Sequence, residues 1–254
     1  MKRYILAFLL LILLAMPCYA QMAGKMKGGW SKGDAVNLNV IRPDEASGSG
    51  TDDSVSFPND ATKNQFSGST SFTVEAWYKY SASGRIYDKR NAATGVSIAT
   101  LSGTAWAMYF DFNNTNPYYE SAHVSGQWTH AVIVWTGSQC IAYSNNVASS
   151  PIATGTGVPV NEIALSAYIG NRANGDRTFN GDIKVVRIYR NKGLSATEVA
   201  IAYKAGRFAS KPISGCTQEI IFNEGSGAVR DDKGLAGTMT HISWGKDTLS
   251  NGGL

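Results

Sequence analysis

The polar segment NNTNPYY combines the two chemistries that proteins use to bind sugars. It contains the amides Asn114 and Asn116 and the adjacent tyrosines Tyr118 and Tyr119. Aromatic rings stack on the C–H faces of a pyranose, and side-chain amides form hydrogen bonds with its hydroxyl groups. We predict that these four residues bind a ligand. The alternative is a plain turn, because Asn is one of the residues that favour tight turns.

A second polar segment, NRANGDR, offers amides and a charge pair. We predict that Asn171 and Arg172 take part in ligand binding, because recognition residues concentrate on loops that a rigid scaffold positions. The Asn and Gly residues of this segment are equally compatible with a turn that binds nothing.

No arrangement of side chains in the sequence predicts catalysis. Glycoside hydrolysis needs two carboxyl groups that face one bond. Glu75 is alone in its predicted strand, and Glu120 and Glu162 fall in predicted loops, so we interpret all three as solvated carboxylates. His123 and His241 are too far apart in sequence to predict a zinc site, and the chain contains no G-x-S-x-G motif and no phosphate-binding glycine loop. We therefore predict that the chain is not an enzyme and has no catalytic residues.

The N-terminal residues MKRYILAFLLLILLAMPCYA have the composition of a signal peptide. Lys2 and Arg3 precede an apolar run, and Ala20 ends a cleavage site of small residues. Cleavage of residues 1–20 would leave a secreted or cell-surface protein with no membrane span. The alternative is a lipoprotein anchored through Cys18. Residues 21–33 are predicted to form a flexible basic leader.

The charge of the chain argues against a nucleic-acid partner, and its cysteine content indicates a disulfide. The formal net charge is +4, and the sequence contains no basic patch of the kind that binds nucleic acid. Cys140 and Cys216 are the two cysteines that follow the signal peptide. In an exported protein two thiols usually form one disulfide, which we predict here. Two separate buried thiols are the alternative.

Short apolar runs bounded by Gly and Ser recur along the chain, which is typical of an all-β fold. The run SFTVEAWYKY alternates, so that Phe72 and Tyr78 share one face of a strand and Trp77 lies on the other. The run WTHAVIVW is apolar on both faces, which predicts a strand covered on both sides. We predict that Trp77, Trp128 and Trp135 belong to the core.

One short helix interrupts the strands. Ser195 and Glu198 have the spacing of a capping box, in which each side chain accepts a hydrogen bond from the other residue's backbone N–H. Val199, Ala202 and Tyr203 form an apolar stripe. The pattern predicts that the helix ends before the next glycine.

Three segments in series resemble the laminin G-like, concanavalin A-like lectin/glucanase jelly-roll family. They are GQWTHAVIVW, LSAYIGNR and TFNGDIKVVRIYRNKGLSATEV. The resemblance implies an all-β fold, a two-sheet antiparallel jelly-roll sandwich with the short helix after the last signature strand, built from residues 34–254. It also implies a recognition or adhesion module whose partner is a glycan or an extracellular polymer. The E-x-D-x-x-E motif of the hydrolases in this family is absent.

The segment IIFNEGSGAVRDDKGLAGTMTHISW resembles a part of the same family that normally precedes the first strand of the sandwich. Here it follows the helix, so we predict that residues 217–254 supply closing strands out of the usual order. Two arrangements are open. The strands could fold back onto their own chain, because the ends of such domains lie close together. They could instead be donated to a second copy, which would make the protein a self-associating subunit of a surface layer, filament or virion.

The resemblance also implies one structural calcium ion at the rim of the sheets. Asp52, Asp53 and Asp182 are the candidate ligands, because a hard cation prefers carboxylate oxygens. Lys184 and Val185 stand where many relatives have an acidic pair, which removes a ligand and adds a positive charge. A turn without metal is the alternative.

Overall fold

The computed structural model describes residues 39–42, 54–90, 95–102, 105–111, 118–153, 162–223, 229–240 and 243–246. Within these residues it contains sixteen strands and one α-helix. In chain order they are β1 (Asn39–Arg42), β2 (Ser54–Phe57), β3 (Phe72–Ala82), β4 (Gly84–Arg90), β5 (Gly95–Ser102), β6 (Ala105–Asp111), β7 (Tyr118–Ala122), β8 (Trp128–Trp135), β9 (Gln139–Ser144), β10 (Val147–Ala148), β11 (Ile152–Ala153), β12 (Ala167–Ile169), β13 (Asn180–Arg190), α1 (Ala196–Ala205), β14 (Gln218–Ile221), β15 (Thr238–Thr240) and β16 (Ser243–Lys246). The predicted signal peptide and leader lie outside the described residues.

The strands form two antiparallel sheets. Sheet A has the order β10-β9-β8-β3-β13-β1-β16, with β11 paired to β9 and β14 paired to β13. Sheet B has the order β15-β2-β12-β4-β5-β6-β7. This architecture confirms the predicted two-sheet, all-β sandwich.

The main core lies between the two sheets, and strand alternation explains which residues enter it. In β3, Phe72 and Tyr78 join this core, whereas Trp77 packs in a separate cluster on the outer face of sheet A. Trp135 is also part of the core between the sheets, and Trp128 packs beside Trp77. All three tryptophans are buried, as the sequence predicted.

Helix α1 covers the outer face of sheet A. Ser195 caps its N-terminus in a capping box with Glu198, and the helix ends before Gly206, which has a positive φ of 79°. Val199 and Ala202 are fully buried against β8 and β13. The helix packs on middle strands of sheet A, where it covers apolar side chains of β8 and β13. Among the described residues, no helix has the length and the apolar character that a membrane crossing requires.

The C-terminal strands pair with strands of the same chain. β14 pairs with β13 in sheet A, β15 pairs with β2 in sheet B, and β16 pairs with β1. β1 and β14 share one edge of β13: Ile41 pairs with Ile183, and Ile221 pairs with Val185. The out-of-order C-terminal segment is therefore folded back onto its own chain in this structure.

Both cysteines are free thiols, which corrects the predicted disulfide. Cys140 belongs to the core between the sheets, whereas Cys216 packs against the cluster on the outer face of sheet A. The two side chains thus lie on opposite faces of one sheet, so they cannot bond without a rearrangement of the backbone.

Candidate functional site

A row of polar residues crosses the outer face of sheet B, one from each of the strands β15, β2, β12, β4 and β5. Ser97 lies between the core residues Val96 and Ile98, and Tyr168 lies between Ala167 and Ile169. Alternation therefore directs Ser97 and Tyr168 away from the core. The strand register defines the row as Thr238, Ser56, Tyr168, Asp88 and Ser97, and the backbone pairing continues from Ser97 to Tyr109 and Tyr118.

Asp88 is the centre of this row and is held by its neighbours. The residue is 2% exposed, and its Oδ2 lies 3.6 Å from Nε of Arg85. Arg85 also donates from Nη1 to Oγ of Ser97 at 3.2 Å. Burial raises the pKa of Asp88 to about 6, and the positive charge of Arg85 opposes this rise. The sheet therefore holds a carboxyl group whose charge changes just below neutral pH.

The loop that follows β12 borders the row beside Asp88. Asn171 is fully buried, and its amide is saturated inside the loop. Its Nδ2 donates to Thr178 and to the carbonyl of Gly175, and its Oδ1 accepts from the backbone N–H groups of Arg172 and Arg177. The ligand contact predicted for Asn171 does not fit this placement, because the amide has no remaining hydrogen-bonding capacity. Its role is to shape the loop.

Arg172 and Arg177, which both belong to this loop, differ in their contacts and in their exposure. Arg172 is paired with Asp176 through two contacts, one of them an Nη2–Oδ2 distance of 2.6 Å. Arg177 is exposed, and its backbone carbonyl accepts a hydrogen bond from the Arg85 amide at 2.9 Å. This bond joins the loop to the start of β4.

A cavity of about 280 Å³ opens where Arg177 meets sheet B. Its lining comes from the β3–β4 connection, the start of β4, the end of β5 and the loop after β12. The lining residues are Ser83, Gly84, Arg85, Ala99, Thr100, Leu101 and Arg177. We call Arg85, Asp88, Ser97, Tyr168 and Arg177 the B-face site.

The NNTNPYY segment, which we predict to bind a ligand, is connected to the B-face site only through strand pairing. Tyr118 pairs with Tyr109, which pairs with Ser97 of the row, whereas Tyr119 pairs with Met108 at the next position. Asn114 and Asn116 lie outside the described residues. Sequence reasoning missed Arg85, Asp88, Ser97 and Tyr168, because they come from three strands and share no local motif, whereas Arg177 ends the predicted NRANGDR segment.

The described part of the predicted calcium site does not fit a cation. Asp182 is 4% exposed, and its Oδ2 lies 2.6 Å from Nζ of Lys79. Lys184 is also buried and donates to the carbonyl of Phe222 at 2.9 Å. The Asp182 carboxylate is therefore already paired with the ammonium group of Lys79. Asp52 and Asp53 lie outside the described residues, and the described residues contain no group of three or more potential metal ligands.

Glu75 is fully buried in β3 of sheet A, so the prediction of a solvated carboxylate is wrong. Its Oε1 lies 2.5 Å from Nη1 of Arg187 and 3.1 Å from Nε2 of His130, and its Oε2 accepts from Tyr189 at 3.2 Å. Arg187 also contacts Glu219 at 2.7 Å through Nε. Burial would raise the pKa of Glu75, but Arg187 and His130 outweigh it and hold the pKa at about 2. The network stabilises the sheet and is closed to solvent.

Glu162 is also fully buried, which corrects the same prediction for this residue. Its carboxylate accepts from the backbone N–H groups of Phe66 and Ser67, and its Oε1 lies 3.7 Å from Nζ of the buried Lys89. Burial lowers the pKa of Lys89 to about 8, against the opposing effect of Glu162. Glu120 lies in β7 rather than in a loop.

Comparison with known proteins places this geometry in a family. A profile of the laminin G-like family Laminin_G_3, described as the concanavalin A-like lectin/glucanases superfamily, matches residues 49–200. The search of curated proteins found no match. The out-of-order segment that forms β14, β15 and β16 lies beyond the matched residues.

Two solved structures share the fold at low identity. A protein from Bacteroides ovatus, predicted to bind carbohydrate, has a TM-score of 0.60 and 14% identity over 84% of this chain. This chain spans 61% of the length of that protein. A heptameric SAP-like pentraxin from Limulus polyphemus has a TM-score of 0.55 and 13% identity over 85% of this chain and 98% of its own. Because the family profile matches more than half of the sequence, the chain belongs to the concanavalin A-like lectin/glucanase superfamily.

Proposed function

We propose that the protein is a secreted, non-catalytic recognition module that binds a glycan through the B-face site. The observation that carries this proposal is the polar row across sheet B with the Asp88–Arg85–Ser97 cluster at its centre. Polar side chains held in place by their neighbours bind a ligand with little loss of conformational entropy.

The chemistry of the B-face site suits a sugar. Tyr168 is half-buried, so part of it is accessible to solvent, and a tyrosine ring can stack on a pyranose face. Arg177 supplies donors for sugar hydroxyl or carboxyl oxygens, and Thr100 lies in the same cavity. Membership of a lectin superfamily and the fold shared with a predicted carbohydrate-binding protein support the same conclusion.

The absence of catalysis is part of the proposal. Asp88 is the carboxylate of the B-face site, and the nearby Asp176 is paired with Arg172. Retaining and inverting glycosidases both need two carboxyl groups that flank the bond to be cleaved. We therefore expect no release of reducing ends when the protein is incubated with the polysaccharides that it binds.

Replacing Tyr168 by alanine is expected to weaken glycan binding by about tenfold, because the stacking surface is lost. A glycan array would identify the ligand, and isothermal titration calorimetry would measure its affinity for wild type and variant. Tyr203→Ala is the matched control, since it removes a half-buried tyrosine from the outer face of sheet A. Its affinity for the glycan should equal that of wild type.

Two outcomes would contradict this assignment. One is the absence of binding to any glycan on the array. The other is unchanged affinity of Tyr168→Ala, with a melting temperature close to that of wild type, which would place the binding surface elsewhere on the protein.

Export is a separate expectation from the N-terminal sequence. When the full chain is expressed with a functional export system, the mature protein should begin at Gln21, directly after the predicted cleavage site. N-terminal sequencing and intact mass of the exported protein measure this. A protein that retains residues 1–20, or one that carries lipid on Cys18, would contradict the proposed cleavage.

A further inference from the structure

We propose that the cavity beside Arg177 binds the carboxylate of a uronic acid residue, so that the glycan ligand is acidic. The inference rests on the proposed function, because it assigns a ligand class to the same B-face site. It follows from the charges that face the cavity, from its size and from the ion pairs that its arginines make.

Among the described residues around the cavity, three arginines face two aspartates. Arg85 and Arg177 line the cavity, and Arg172 lies on the loop beside it. Asp176 offsets Arg172 through their ion pair, and Asp88 offsets Arg85. Arg177 forms no ion pair of its own among the described residues, and it shares the charge of Asp176 with Arg172.

Arg177 has the properties of an anion-binding residue. Its side chain is exposed, and it makes no ion pair with the described residues. A guanidinium group binds a carboxylate through two parallel N–H···O hydrogen bonds, a geometry that a lysine cannot reproduce. The cavity of about 280 Å³ is at the small end of ligand pockets, which suits one sugar residue and its carboxylate.

Asp88 makes the binding of an anion depend on pH. The groups that face it are Arg85 and Arg90 on its own strand, Ser97 on β5, Tyr168 on β12 and Arg172 on the loop after β12. Protonation of Asp88, which has a pKa of about 6, removes a negative charge next to the cavity, so the net charge that an anion meets there becomes more positive. A uronate keeps its charge in this range, because carboxylic acids ionise near pH 4. Binding should therefore strengthen as the pH falls below neutral.

The test uses the mature full-length protein and three uronate polymers, namely polygalacturonate, alginate and hyaluronate. The carboxyl-reduced form of each polymer is its neutral control. At about pH 7.5, we expect the protein to bind at least one uronate polymer about tenfold more tightly than the reduced form, in line with a charge-assisted hydrogen-bonded pair. Arg177→Ala should abolish this preference, and Arg177→Lys should retain part of it. Lys204→Ala removes one exposed charge from helix α1 and should change nothing.

The pH profile separates a specific site from general attraction to a basic protein. Wild-type affinity for the uronate polymer should rise severalfold between about pH 7.5 and about pH 5.5, across the titration of Asp88. Asp88→Asn carries no charge at either pH, so it should bind at about pH 7.5 as tightly as wild type does at about pH 5.5, without a pH dependence.

Several results would overturn the inference. Equal affinity for a uronate polymer and its reduced form, unchanged affinity of a folded Arg177→Ala, or binding of dextran sulfate but of no uronate polymer would each do so. If neutral glycans bind and Tyr168→Ala abolishes that binding, the proposed function stands and only the acidic ligand falls. If no glycan of either kind binds, both fall.

Discussion

Replacing Arg187 by methionine should lower the free energy of unfolding by about 3–5 kcal/mol. The substitution keeps a long side chain but leaves the buried carboxylates of Glu75 and Glu219 without their shared cation. Breaking one partner of a buried ion pair costs far more than the pair contributes over an apolar replacement, because the remaining charge stays out of water. Urea denaturation at neutral pH, followed by tryptophan fluorescence, measures the change.

Lys211→Met is the matched control for this substitution. Lys211 also pairs with a carboxylate, that of Asp232 at 2.5 Å, but its side chain is 43% exposed. Exposed ion pairs contribute about 0–1 kcal/mol, so this variant should unfold close to wild type. A loss of less than about 1 kcal/mol in Arg187→Met would show that the network is not essential to the stability of sheet A.

Removing residues 217–254 should prevent cooperative folding of the remaining chain. The deletion takes away Ile220, Phe222 and Val229, which are buried in the core between the sheets, and Glu219, which pairs with Arg187. The expected loss exceeds the whole free energy of folding of an ordinary domain, about 5–15 kcal/mol. Near-ultraviolet circular dichroism and thermal melting of the truncated protein measure the effect.

A synthetic peptide of residues 217–254, added in trans, should restore the folded signal to the truncated chain. A scrambled peptide of the same composition is the control, because it retains the apolar content and loses the strand register. A truncated protein that melts as wild type does would contradict the closing role of β14, β15 and β16. Full-length protein that forms concentration-dependent oligomers in analytical ultracentrifugation would instead favour donation of these strands to a second copy.

Local patterns were sufficient to predict the parts of the fold that depend on neighbouring residues. Alternation separated Trp77 from Phe72 and Tyr78, and the spacing of Ser195 and Glu198 predicted the start of helix α1. These features depend on geometry within a few residues, which the sequence contains directly. The position of the helix on sheet A could not be predicted in the same way, because it depends on which strands lie beneath it.

The buried charges show why the remaining features were missed. Glu75 has a polar side chain in a strand and nothing near it in sequence to neutralise it, so a solvated position was the reasonable prediction. Its partner Arg187 is 112 residues away and reaches it only because β13 pairs with β3. The B-face site has the same origin: Asp88, Ser97 and Tyr168 become neighbours only through the register of β4, β5 and β12.

The shared edge of β13 has a consequence for the timing of folding. β1 and β14, which both pair with this edge, are far apart in sequence. Sheet A therefore cannot be completed before residues 218–221 have been synthesised. Contacts between such distant segments delay folding, because the intervening loop must close first. We therefore expect sheet A to be completed late in folding, after strand β14 has become available to pair with β13.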